Sequence, residues 1–270
     1  MLTEQRRQQI LIAINQNPGG AVPVSELAER FGVTGMTIRR DLEYLEAQNL
    51  LHRVHGGAVS RIEGLTAAPF SQRRGEYSRE KAQIAALAGR MVGDHEQILL
   101  DAGTTTLQIA RELSRRRGLT VVTNSLSICA LMARAGEGRV IVLGGELRPE
   151  EECMVGPVAA RQAAQYSLDR AFISAAGFSL AKGVTDVDFP EVEVKQAMMR
   201  SAREVILAVD SSKWQADRLI RIAQLGEFHK ILCDDGLPQS AIDVLRAQNI
   251  AIITPRTHPL ELNEWGRGAG

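Results

Sequence analysis

Between residues 97 and 253 the chain repeats one pattern, and that pattern narrows its fold further than any other feature. Runs rich in Val, Ile and Leu stand at 97–101, 119–123, 139–143, 171–174, 205–209, 230–233 and 250–253. Segments of helical period separate them, as at 107–113 and 126–134. Uninterrupted apolar runs are the signature of strands buried on both faces, and parallel neighbours need a crossover, usually a helix. The pattern predicts an α/β layer fold with a mainly parallel sheet.

Ligands of such sheets gather at the carboxyl ends of the strands. Polar residues and glycines stand at five of those ends. They are Asp101-Ala102-Gly103-Thr104-Thr105-Thr106, Thr123-Asn124-Ser125, Gly144-Gly145, Ala176-Gly177 and Asp210-Ser211-Ser212-Lys213. Gly103 permits close backbone approach. The threonine hydroxyls and the first free N–H groups of the following helix make an anion site. A threonine-rich helix start is often only a cap, but capping alone does not account for five ends on one edge. Lys195 adds a cation in a chain with few lysines. Its helix carries Val192, Val194, Met198 and Met199. The side chain can snorkel outward or point its ammonium into the pocket toward a phosphate, and we favour the pocket.

The stretch VTGMTIRRDLEYL at 33–45 reads as a different kind of element. Ile38, Leu42 and Leu45 make one apolar stripe of a helix, with Thr34 as N-cap and Gly35 in the first turn. Met36, Thr37, Arg39 and Arg40 face the other way. Two guanidiniums and a hydroxyl there suit phosphates and the O6/N7 edge of guanine. A short helix at 25–30 and the turn Phe31-Gly32-Val33 precede it, which is the helix-turn-helix arrangement. Residues 49–58 read as a hairpin with a Gly-Gly tip, the wing of a winged helix. A first helix at 4–15 supplies Ile10, Leu11 and Ile14 to the core and exposes Arg6 and Arg7. Asn17-Pro18-Gly19-Gly20 stops it, and 22–24 suits a short strand beside the wing. From 59 to 77 the pattern weakens. Gly64, Pro69 and Gly75 interrupt it, and it reads as a linker.

The 270 residues carry a formal net charge of zero, so nothing pulls the whole chain toward a polyanion. Any DNA affinity must come from local arrangement. Cys129, Cys153 and Cys233 lack the spacing of metal ligands or of a disulfide framework. No run resembles a signal peptide or is long enough to span a membrane, so a cytoplasmic location is expected.

The run VSELAERFGVTGMTIRRDLEYLEAQNLLHRVHGGA closely resembles the N-terminal signature of the DeoR family of bacterial transcriptional regulators. One departure is Asn49, where the family usually has glycine. DAGTTT, VVTNS, LGGELR, the VEVK segment and AVDSSKW look like the same family's sensor domain, which resembles the ribose-5-phosphate isomerase superfamily. With the weakened pattern at 59–77 as linker and the Gly-, Pro- and polar-rich stretch after Pro255 as a flexible tail at 256–270, the resemblance implies a winged helix-turn-helix domain at 1–58 and a sensor domain at 78–255. It implies operator DNA as partner for Thr34, Met36, Thr37, Arg39 and Arg40, with Arg53 and His55 of the wing on phosphate or the minor groove. It implies a phosphorylated sugar or polyol held by Asp101, Gly103, Thr104 and Thr105, with Asn124, Lys195 and Lys213 completing the site. No cofactor or metal is implied. The family usually has glycine for Ser174 and often a polar residue for Ala176. Asp186, Asp188 and Glu191 add more acid than usual.

The leading expectation is a repressor of a carbohydrate-catabolic operon, relieved by its ligand. Because one such module reads few base pairs, a homo-oligomer, dimer or tetramer, is expected as well. An active sugar-phosphate isomerase or lyase is the alternative, with Glu191, Glu193 or Asp101 as base. A fused DNA-binding module argues for sensing, since turnover destroys the signal. A nucleotide-binding reading is weakest, because no G-x-G-x-x-G follows a strand.

Overall fold

The computed structural model describes residues 3–15, 21–48, 50–54, 56–60 and 70–258. The expected turn at Asn17-Pro18-Gly19-Gly20, Asn49, His55, linker positions 61–69 and the tail from 259 lie outside the described residues. The chain divides into two compact units, Met1–Pro69 and Phe70–Gly270.

The first unit runs α1 (Thr3–Asn15), β1 (Val22–Pro23), α2 (Val24–Phe31), α3 (Gly35–Ala47), β2 (Leu51–Val54) and β3 (Gly57–Ser60). The strands form an antiparallel sheet in the order β1-β3-β2, with Val22 opposite Ala58. Ile10, Ile14, Leu27, Ile38, Leu42, Leu45 and Leu51 fill the core. Gly32 ends α2 in the left-handed region (φ 62°), and the Thr34 side chain accepts from the Thr37 N–H to start α3. That tight turn sets α3 against α2.

Arg6 and Arg7 are not simply exposed, as their place on α1 suggested. Both guanidiniums close on Asp41, which is buried in α3, through Nε at 2.7 and 2.9 Å. Arg7 also lies 3.7 Å over the Tyr44 ring. A helical pattern shows only which face is polar, and the partner comes from a second helix.

The second unit opens with α4 (Phe70–Arg73) and α5 (Ser78–Met91). It continues through β4 (Gln97–Leu100), α6 (Thr104–Leu113), β5 (Thr120–Thr123), α7 (Leu126–Ala135) and β6 (Arg139–Val142). Next come β7 (Glu146–Arg148), β8 (Cys153–Val155), α8 (Gly156–Ala163), β9 (Leu168–Ile173), β10 (Gly177–Ser179) and β11 (Gly183–Asp186). The last part is α9 (Phe189–Arg200), β12 (Ala202–Ala208), β13 (Ile220–Ala223), β14 (Lys230–Leu232), α10 (Gln239–Ala247) and β15 (Ile252–Ile253).

All seven apolar runs are strands of one sheet, in the order β15-β14-β12-β9-β4-β5-β6. Every pairing in it is parallel. Side chains alternate between two cores. Phe172, Ile206 and Ala208 pack with α4 to α7 on one face. Ala171, Ile173, Val205 and Leu207 pack with α8 to α10 on the other. The inner strands are covered on both faces, so their runs are apolar throughout rather than alternating, whereas the edge strand β6 carries an apolar run yet is exposed at Arg139 and Val142. From β4 the chain steps outward to β5 and β6, then returns to β9 on the other side of β4. The strand order therefore reverses between β4 and β9, the place where open α/β sheets bind ligands.

The second unit starts before the expected boundary at 78. Phe70 is buried in its core. The Lys81 ammonium donates to the carbonyls of Arg73 and Glu76, at 2.6 Å each, and ties down the turn between α4 and α5. One aromatic among arginines and glycines carries no periodic signal, so the segment reads as linker. The β7-β8 hairpin and the β10-β11-β13 sheet also went unseen. Strands such as β7 (ELR), β10 (GFS) and β11 (GVTD) lack the unbroken apolar run that marks the strands of the large sheet.

Candidate functional site

Two regions carry chemistry, one in each unit. On α3, Met36 is 58% exposed and Arg39 and Arg40 are exposed. No ion pair or hydrogen bond among the described residues engages either guanidinium. The Thr34 and Thr37 hydroxyls lie 3.0 Å apart, so Thr37 is partly occupied by the cap. Arg53 of the wing is engaged within its own unit. Its Nε meets Glu46 at 2.7 Å, its Nη1 meets Glu43 at 2.8 Å, and its N–H donates to Glu46 at 3.0 Å. The hydrogen bond to Glu46 leads in raising its pKa. Arg53 braces the wing against α3 while 39% of its side chain stays exposed. His55 lies outside the described residues.

In the second unit the ends of β4 and β9 meet at the reversal of strand order. Asp101 follows β4 and is 1% exposed. Its Oδ2 accepts from the Ser174 N–H at 2.9 Å and from the Ser174 hydroxyl at 2.8 Å. Lys195, on α9, is also buried. Its ammonium donates to Asp186 at 2.8 Å and to the Ser174 carbonyl at 3.0 Å, and it lies 3.3 Å from Asp101 Oδ2. The Lys195 side chain turns inward toward the end of β4. It is not extended toward a phosphate, because protein oxygens engage it on three sides.

The charges here do not balance. Three carboxylates, Asp101, Asp186 and Glu191, act on one ammonium. Burial works against the Lys195 charge, but those carboxylates outweigh it and raise the lysine pKa. Burial also raises the Asp101 pKa against the pull of Lys195. Burial pushes Glu191 up to about 7, against the pull of Lys195 and helped by Asp186, Glu151 and Asp101. The lysine thus stays charged while the acids compete for it. Between the ordinary 4.5 and about 7, the folded chain holds a proton on Glu191 that the unfolded chain releases, so this group favours the fold less as pH rises through that window.

Gly103, Thr104 and Thr105 form the rim beside Asp101. A Cβ on Gly103 would come within 3.0 Å of the Ser174 Cβ and closer still to its hydroxyl. Gly103 is therefore required by the close approach of Ser174. Thr104 and Thr105 are each 6% exposed, and no hydrogen bond among the described residues reaches their hydroxyls. With the free N–H groups of the first turn of α6, they are open donors.

Other expected residues serve structure. The Asn124 Oδ1 accepts from the Ala102 N–H at 3.0 Å, and its Nδ2 donates to the Met154 carbonyl at 2.9 Å. Its amide locks the turn after β4 to the β7-β8 hairpin. Gly145 and Gly177 face the carbonyl oxygens of Val155 and Ala216, where a side chain would clash, so their strand ends are packing points. Lys213 lies in the turn Ser211–Lys213 after β12, two strands from β4 and hence roughly 10 Å away laterally. No hydrogen bond or ion pair among the described residues joins it to Asp101 or Lys195. It belongs with Lys81: burial, Lys213 and Arg73 lower the Lys81 pKa, and Asp210 partly offsets them.

Two ion pairs that the sequence did not suggest fix the hairpin. Glu151, in the turn between β7 and β8, pairs with Arg73 of α4, and Arg148 of β7 pairs with Asp188 before α9. The charge of Glu151 acts on both Lys195 and Asp186. The partners stand 78 residues apart in the first case, and no local signal announces them. Among the described residues no group of three or more His, Cys, Asp or Glu is set to hold a metal, and no helix is long and apolar enough to cross a membrane.

Residues 6–63 match the DeoR-like helix-turn-helix domain, and residues 76–235 match the DeoR C-terminal sensor domain. The chain is similar to the uncharacterized HTH-type transcriptional regulator YulB of Bacillus subtilis. The two are 34% identical over 252 residues, 93% of this chain and 96% of that one. It is 29% identical to the glycerol-3-phosphate regulon repressor of Escherichia coli, over 93% of this chain and 99% of that one. A ribose 5-phosphate isomerase A from Methanocaldococcus jannaschii aligns over 50% of this chain and 53% of its own, at 20% identity and a TM-score of 0.37, too slight a likeness to bear on chemistry. With both domain models matched and a relative at this identity along nearly its whole length, the chain belongs to the DeoR family of helix-turn-helix regulators.

Proposed function

We propose that the chain is a transcriptional repressor of a carbohydrate operon whose operator affinity is set by a phosphorylated sugar or polyol at the carboxyl edge of its second unit. It acts in the cytoplasm. The observation that carries this reading is the pairing, in one chain, of an α3 face with two unengaged arginines and a buried rim of open donors on α6. The relative named for glycerol-3-phosphate supports a phosphorylated effector. Glu191 has the pKa a general base needs, which is what an isomerase would require. The relatives are named as regulators, however, and turnover would consume the signal.

A single α3 reads only a few base pairs, so useful specificity needs a dimer or tetramer. A monomer by light scattering with full operator affinity overturns that part.

The Glu151–Arg73 pair offers a route for coupling. It joins the hairpin beside Lys195 to α4, the first element after positions 61–69 that lead from the DNA-binding unit. A ligand changes DNA affinity only if it favours one arrangement over another.

Mobility shift at fixed salt, with and without effector, tests these roles. Arg39→Ala or Arg40→Ala should cost about 1–3 kcal/mol of specific binding and leave effector binding intact. Glu151→Gln should keep both affinities and shrink the effector's influence on DNA. Unchanged operator affinity in both arginine variants overturns the α3 assignment, and full effector response in Glu151→Gln overturns the coupling.

A further inference from the structure

The site at the ends of β4 and β9 offers two chemically opposite ends. One end, the first turn of α6 with the Thr104 and Thr105 hydroxyls, presents donors. The other presents acceptors. Among the described residues, the contacts to the Asp101 carboxylate reach Oδ2, and Oδ1 takes no hydrogen bond. Glu191 lies four positions before Lys195 on α9, and so on the same helical face. No hydrogen bond or ion pair among the described residues reaches its carboxyl group. The one nearby ammonium is already surrounded by Asp186, Asp101 and the Ser174 carbonyl.

A phosphate is repelled from the acidic end and belongs on α6. A neutral polyol could satisfy the open oxygens but would bring no positive charge to Asp101, Asp186 and Glu191, which share one lysine. We infer that the effector is an amine-bearing sugar phosphate, its ammonium received by Glu191 and Asp101 and its phosphate by the first turn of α6. This rests on the reading of the second unit as a sugar-phosphate sensor. The groups facing Glu191 are Lys195 on its own helix, Asp186 from β11, Glu151 with its partner Arg73, and Asp101. The ligand's ammonium supplies the missing charge and displaces the proton that Glu191 holds near neutrality.

The test is calorimetric titration of the full chain with glucosamine, galactosamine and mannosamine 6-phosphates. Glucose, galactose, mannose, fructose and sorbitol 6-phosphates serve as hydroxyl counterparts. At least one amine should bind tenfold or more tighter than its hydroxyl parent. At pH 6.5 that binding should release a proton, seen as a heat that changes with the buffer's ionisation enthalpy. Glu191→Gln should reduce the preference to within twofold, and Glu191→Asp should restore part of it. Equal or tighter binding of every hydroxyl parent overturns the inference, as does a preference that survives Glu191→Gln. If only hydroxyl compounds bind and Thr105→Val weakens them, the sensor reading stands and the amine falls. If no compound of the panel binds, both fall.

Discussion

Lys195→Ala is expected to destabilise the second unit by about 3–5 kcal/mol, the range for removing one partner of a buried ion pair. The alanine leaves Asp101 and Asp186, 1% and 6% exposed, without their counter-ion and strips a donor from the Ser174 carbonyl. Urea unfolding at neutral pH measures the loss. The loss should shrink in acid, because protonated carboxyls no longer need the ammonium. Adding Asp186→Asn should recover part of it, since neighbours in one network are not additive. A loss below about 1 kcal/mol would show that water reaches these carboxylates. Any missing effector response in this variant then reflects a collapsed site rather than a lost phosphate contact. Thr105→Val is the cleaner probe of that contact, since its hydroxyl binds nothing in the described structure.

Asp41→Ala is expected to remove about 3 kcal/mol from the first unit. Asp41 is 2% exposed and holds Arg6 and Arg7, with Arg7 stacked on Tyr44. Its loss frees α1 from α3 and leaves two guanidiniums to find water. A unit of this size has little stability to spare, so operator binding should fall through unfolding while the second unit still melts as before. Asp41→Asn keeps the shape and should cost less. If Asp41→Ala melts like the parent chain, the clamp is a surface ion pair of no consequence.

The strands of the large sheet were legible in the sequence for a plain reason. A strand covered by helices on both faces is apolar along its length, and 205–209 and 119–123 are short β-branched runs of that kind between helical segments. The α3 stripe was legible because Ile38, Leu42 and Leu45 share one face by local geometry alone. The rim on α6 was legible because a helix start exposes its donors wherever it lies. What only the tertiary structure decided is which charges meet. Lys195 faces Asp101 and Asp186 because the strand order reverses between β4 and β9, which brings α9 over the end of β4. Arg53 is spent on Glu43 and Glu46 because the wing folds back on α3. Asn124 is spent on backbone because the β7-β8 hairpin returns across its strand. Hydrophobic period is a property of neighbours in the chain and survives in the sequence. The partner of a buried charge is a property of neighbours in space, set by topology.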